Sequence, residues 1–117
     1  MTGYENLKVW QLSIDLVTEV YNQVKLLPKQ ETYALSDQIR RSAVSIPSNI
    51  AEGSSRNSKK EYVQFLYIAL GSICELETQL LIARNVGYLV SIDKLKAEIV
   101  VIKKMLNALI SSIKKDY

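Results

Sequence analysis

No histidine occurs among the 117 residues. That absence removes the side chain most used for proton transfer near neutral pH and the commonest metal ligand. Histidine-dependent triads and metal centres go with it, and no alternative set of ligating or nucleophilic residues at workable spacing takes their place. The expectation is a protein with no catalytic machinery, no metal, no cofactor and no small-molecule substrate. A single cysteine, Cys74, cannot close an internal disulfide, so a reducing, cytoplasmic setting is expected. Cys74 lies between Ile73 and Leu76 on an apolar segment, where cysteine usually behaves as a small core hydrophobe. Only 4 Gly and 2 Pro leave little material for a turn-rich β fold, and helices become the default. Long apolar runs are missing too. Val63 to Cys74 is interrupted by Gln64, Gly71 and Ser72 and is far shorter than the roughly 20 apolar residues of a membrane span. Met1-Thr2-Gly3-Tyr4-Glu5 lacks the basic start and apolar run of a secretory signal, so no membrane partner is expected.

What is present is helical periodicity. The length fits one domain over residues 1–117. From Leu7, the apolar positions Trp10, Ile14, Val17, Tyr21 and Val24 alternate in steps of three and four, as a helix seam does. Val9, Leu12, Leu16 and Val20 form a second stripe, making the apolar arc wider than one partner would cover. Pro28 ends this segment. A second helix is expected from about Ala34 to Glu52, with Leu35, Ile39, Ala43, Ile46 and Ile50 inward and Gly53 in the left-handed terminal position. Pro47 falls inside it and should kink it near Val44 to Pro47. Ser58-Lys59-Lys60-Glu61 matches a capping box and opens a third helix. Its seam runs from Tyr62 and Phe65 through Ile73 and Leu80 to about Val86, with Gly87 as its stop. Ser91 should cap a fourth helix along Leu95, Ile99, Ile102, Leu106, Leu109 and Ile113. Short connections make neighbours antiparallel. The expected fold is therefore all-α, an up-down-up-down antiparallel four-helix bundle.

Charge is segregated along the chain. Residues 40–60 hold Arg40, Arg41, Arg56, Lys59 and Lys60 against Glu52 alone. Residues 93–117 hold six lysines against Asp93, Glu98 and Asp116. Lys96, Lys103 and Lys114 are spaced near whole helical turns and share a stripe that could follow a phosphate backbone, although lysine on a helix face is also simply a solvated surface. Gln38, Arg41, Ser42, Ser45, Asn49 and Glu52 form a polar row opposite Ser72, Glu75 and Gln79. Arg41 either pairs with Glu75 across that interface or contacts a ligand; Arg40, one position round, is freer to face outward. Asp15 and Glu19 share a face but read as solvated surface, because nothing apolar beside them separates their proton affinities.

The segment Ser45 to Gly53, SIPSNIAEG, is preceded by Gln38-Ile39-Arg40-Arg41-Ser42 and followed by IALGSICELETQL from Ile68. With Tyr4-Glu5-Asn6-Leu7-Lys8-Val9-Trp10 and the Gly87-Tyr88-Leu89 turn, it resembles the bacterial-type four-helix bundle proteins encoded within intervening sequences of 23S ribosomal RNA genes. Ser48 stands where that family often has alanine. The resemblance implies a ring of subunits, a homopentamer, with no enzymatic activity. The related accessory proteins of diversity-generating retroelements use a similar basic barrel to bind nucleic acid and a reverse transcriptase. Carried to this chain, Pro47 bends the helix, Gly53 ends it, and Asn49 and Glu52 tie down the following turn. Arg40, Arg41, Arg56, Lys59 and Lys60 become the first candidates for nucleic-acid contact, with Lys96, Lys103 and Lys114 beside them.

Two functions follow. One is a non-catalytic oligomer that binds RNA or other nucleic acid through phosphates. The other is a homo-oligomeric scaffold that docks a protein partner and binds nucleic acid little. The excess apolar arc on the first helix favours assembly in both, since a lone bundle would leave it facing water.

Overall fold

The computed structural model describes residues 3–117; Met1 and Thr2, and with them the start of the segment read for a signal, lie outside the described residues. Four helices form the fold: α1 (Lys8–Val24), α2 (Leu35–Ser54), α3 (Lys59–Asn85) and α4 (Asp93–Lys114). Single 3-10 turns at Tyr4–Asn6 and Lys29–Glu31 precede the first two, and no strand occurs among the described residues. The body measures 46 × 23 × 23 Å. Its two ends are tied by contacts distant in sequence. The Tyr88 hydroxyl donates to Glu31 Oε2 at 2.9 Å, which puts the α1–α2 and α3–α4 loops at one end. Lys59 meets Asp116 at 3.3 Å at the other. Packing runs α1–α2, α2–α3, α3–α4 and α4–α1, so α1 and α3 sit on the diagonal.

The α3 start follows its sequence signal: the Glu61 N–H donates to Ser58 Oγ at 3.1 Å, and Ser58 Oγ lies 3.2 Å from Glu61 Oε2. Gly87, at φ 90°, is the one residue with positive φ among those described, and it lets the Tyr88 and Leu89 N–H groups cap the Ala83 carbonyl. At α4 the cap position is Ile92, while Ser91 Oγ accepts the Asp93 N–H at 3.2 Å.

Several expectations are corrected. On α1 the buried stripe is Val9, Ser13, Leu16, Val20 and Val24, so the displaced stripe faces the core, and the seam beginning Leu7–Trp10 flanks it. Ile14 is 39 % and Tyr21 41 % exposed. Small, buried Ser13 satisfies its own hydroxyl on the Trp10 carbonyl at 2.7 Å, which lets a polar residue sit on the inner face. With Pro47 inside it as expected, α2 extends past Glu52 to Ser54. Gly53 lies inside α2, and its role is space: a Cβ there would sit 2.7 Å from Phe65 Cβ and 3.2 Å from the Tyr62 carbonyl oxygen. Cys74 is exposed, because Ile73 and Leu76 take the inward positions around it. At the end of α4 the buried residue is Ile110, with Leu109 half-buried.

Candidate self-association surface and basic residues

The outward stripe of α1 does not face open water alone. With Tyr4 from the first turn and Val44, Pro47 and Ala51 from α2, the side chains Trp10, Ile14 and Val17 enclose an apolar groove of about 330 Å³. Tyr4 and Trp10 stack edge to face at 5.2 Å, an arrangement aromatic quadrupoles favour. Through Val44 the groove continues into a cleft rimmed by Tyr21, Asp37, Arg40 and Arg41. Tyr21 and Arg40 carry it on to Lys25 and Lys29. The result is one channel along α1 and α2, apolar at the α2 C-terminal half and basic toward the α1–α2 loop. Composition pointed to it: Trp and Tyr occupy the outward seam, and these residues suit surfaces that are covered by a partner.

The polar row between α2 and α3 closes on itself. Ser42 Oγ donates to Gln79 Oε1 at 2.7 Å, and Ser45 and Ser72 hydroxyls meet at 2.7 Å. Asn49 Nδ2 donates back to the Ser45 carbonyl at 2.8 Å and to Ser45 Oγ at 2.9 Å. Asn49 thus braces its own helix, leaving the following turn to Glu52, which pairs with Arg56 at 3.2 Å.

The basic residues divide. Arg41 pairs with Asp37 at 3.1 Å, one turn back on its own helix and 81 % exposed; it does not reach Glu75, because a local partner at i−4 is nearer. Arg40 is the more constrained of the two, its Nη2 donating to the Thr32 carbonyl at 3.1 Å and so tying the α1–α2 loop to α2. Arg56 also lies over the Phe65 ring at 4.8 Å. Lys103 donates to Glu77 at 2.8 Å, and that bond raises its pKa above the ordinary lysine value. Lys114 donates to the Tyr67 hydroxyl at 2.9 Å, sits 5.2 Å over that ring, and is likewise raised, by the tyrosine bond. Lys60 and Lys96 are exposed, with no ion pair among the described residues. Arg40 lies about 21 Å from the Ser54 end of α2 at the usual helical rise, beyond which Arg56 sits. The Lys59–Asp116 contact brings the start of α3 beside the end of α4, so Arg56, Lys59, Lys60, Lys114 and Lys115 gather at one end.

The α1–α4 side holds a different feature. Glu98 Oε2 is shut off from solvent with no hydrogen-bond partner, beside a cavity of about 200 Å³ lined by Leu12, Asp15, Val101 and Ile102. Desolvation raises the Glu98 pKa; Lys94 opposes this, while Glu19 and Asp15 add to it. No group of three or more Cys, Asp or Glu suited to a metal occurs among the described residues.

A four-helix bundle with an outward apolar channel and a polar-locked inner interface defines the class. The chain belongs to the 23S rRNA-intervening sequence protein family, whose model matches residues 5–108. It is similar to a crystal structure of a protein of unknown function from the S23 ribosomal protein family of Bacteroides thetaiotaomicron VPI-5482, at 28% identity and a TM-score of 0.80. That match covers 87% of this chain and 97% of the other. No curated protein matches the sequence.

Proposed function

We propose that the protein is a self-associating interaction module, in which copies of the bundle assemble and the assembly presents a docking surface. The observation that carries this is the Trp10–Ile14–Val17 seam, which lines an apolar groove on the outside of the bundle. A concave apolar groove bordered by polar residues is a form that partner-docking surfaces take. The family resemblance supplies a ring of five as the subunit number. Size-exclusion chromatography with light scattering tests the reading: a mass several times the 13.3 kDa of one chain is expected at micromolar concentration, and a strict monomer overturns it.

A second reading, nucleic-acid binding, is favoured by the five cations gathered where α3 begins and α4 ends. A ring would repeat that cluster and bind a polyanion multivalently. Four of the eight candidate cations, Arg41, Arg56, Lys59 and Lys103, already face a carboxylate, which is why this reading stands second. Gel-shift titration with RNA at rising salt decides it: steep loss of affinity supports phosphate contacts, and no shift at low salt removes them.

A further inference from the structure

Helix α3 presents an unusual outer surface. By length and composition it is the one described helix apolar enough to cross a membrane, yet only a third of its most apolar 18-residue window is buried in the bundle. Tyr67, Ile68, Ile82 and Val86 are each between 46 % and 56 % exposed. Gly71 lies within this face, and a Cβ built there meets nothing within 4 Å. A glycine inside a helix costs roughly 0.5–1 kcal/mol relative to alanine, and nothing in its own chain uses the space. A close approach from outside the chain would use it.

Resting on the self-association reading above, we infer that the α3 face around Gly71 is the ridge that fills the α1–α2 groove of a second copy. The shapes complement each other: the groove is concave and lined by Trp10, Ile14, Val17 and Val44, whereas α3 is a convex helix whose glycine permits close contact. Charge agrees. Glu75, one turn on from Gly71 within the ridge, has no ion-pair partner among the described residues, while Arg40, Arg41, Lys25 and Lys29 border the continuation of the groove against Asp37. The geometry also fixes the symmetry. Because α1 and α3 sit on the bundle diagonal, ridge and groove face different directions, and a pairing of one with the other is head-to-tail. Each copy then uses both faces, and the chain of contacts closes into a ring or runs on as a fibre.

Complementary blocking variants test this. Gly71→Trp puts a bulky side chain on the ridge where a Cβ meets nothing within 4 Å, and Ile14→Glu puts a charge in the groove; retained helical circular dichroism and melting confirm that each is folded, with Ile82→Glu and Val44→Glu as replacements for any that is not. Each variant alone is expected to run as a monomer by light scattering. Their equimolar mixture retains one good ridge and one good groove and should give a dimer of twice 13.3 kDa, and no larger species. If the wild type assembles but Gly71→Trp keeps the wild-type mass, or the mixture stays monomeric, the ridge-in-groove assignment falls while self-association survives. A monomeric wild type overturns both, and its co-sedimentation with lipid vesicles would give the α3 face to a membrane surface.

Discussion

The α2–α3 and α1–α4 interfaces are built from the same four-three helical pattern but solve the polar problem in opposite ways. Between α2 and α3 the buried or half-buried polar groups find one another, through Ser42 with Gln79 and Ser45 with Ser72. Gly53 lets the helices close to contact near their shared turn. Between α1 and α4 a carboxylate oxygen is enclosed without a partner, next to a cavity. The exposed Lys94–Glu19 pair at 3.5 Å adds little there, as surface ion pairs usually do. Satisfied polar groups fix register because every alternative leaves them unpaired; an unsatisfied one lowers stability wherever it sits. The first interface is therefore expected to be the rigid one, and the second the one with stability to gain.

The largest break in this contrast comes from its core. Leu76, fully buried on α3, should cost about 2–5 kcal/mol when cut to alanine, read as a lowered urea midpoint. The Leu109→Ala variant at the end of α4 should cost much less, since Leu109 is half-buried; equal losses would contradict the placement of Ile110 as the inward residue. Next in size is Gly53→Ala. Its new methyl must displace Phe65 Cβ or the Tyr62 backbone, so a destabilisation of roughly 1–3 kcal/mol is expected from overpacking, although alanine is the better helix former. An unchanged or raised melting temperature would show that the helices can separate at that turn.

Smaller again is Ser42→Ala, which leaves Gln79 Oε1 without its donor. Gln79 is only half-buried and can turn to water, so a loss of about 0.5–1.5 kcal/mol is expected. Hydrogen exchange should quicken at α2–α3 and stay unchanged at α1–α4; the reverse pattern would undo the contrast between the two interfaces.

Much of this was readable in the sequence. The capping box at Ser58, the stop at Gly87 and the inward residues of α2 and α3 followed from local chemistry, which neighbours in the chain decide. The polar row opposite Ser72 and Gln79 was also legible, because period and residue type agreed. What failed were choices that tertiary packing makes. Two apolar stripes on α1 competed, and only the positions of α2 and α4 select the one with Val9, Leu16 and Val20 and bring Ser13 in beside it. A glycine near a helix end reads as a stop, and the proximity of Phe65 that gives Gly53 its purpose is invisible until α3 is in place. Arg40 and Arg41 were distinguished the wrong way round, since a loop carbonyl at Thr32 and a carboxylate at Asp37 capture them differently from what position on a helical wheel suggests.

The finest test concerns Glu98. Burial raises its folded pKa above the usual carboxylate value, so the folded state holds this proton more tightly than the unfolded chain. Stability linked to it is complete below the unfolded pKa and is lost as pH rises through the folded one. Glu98→Gln keeps the shape and removes the titration. The variant should match the wild type at the acid end of the carboxylate range and exceed it slightly at neutral pH, with the difference opening between those limits. Chemical denaturation of both proteins across that range reads the effect directly. A wild type that gains stability relative to Glu98→Gln as pH rises would mean that the carboxylate has a favourable charged partner, with Lys94 prevailing over desolvation, and the α1–α4 interface would then be as well satisfied as its counterpart.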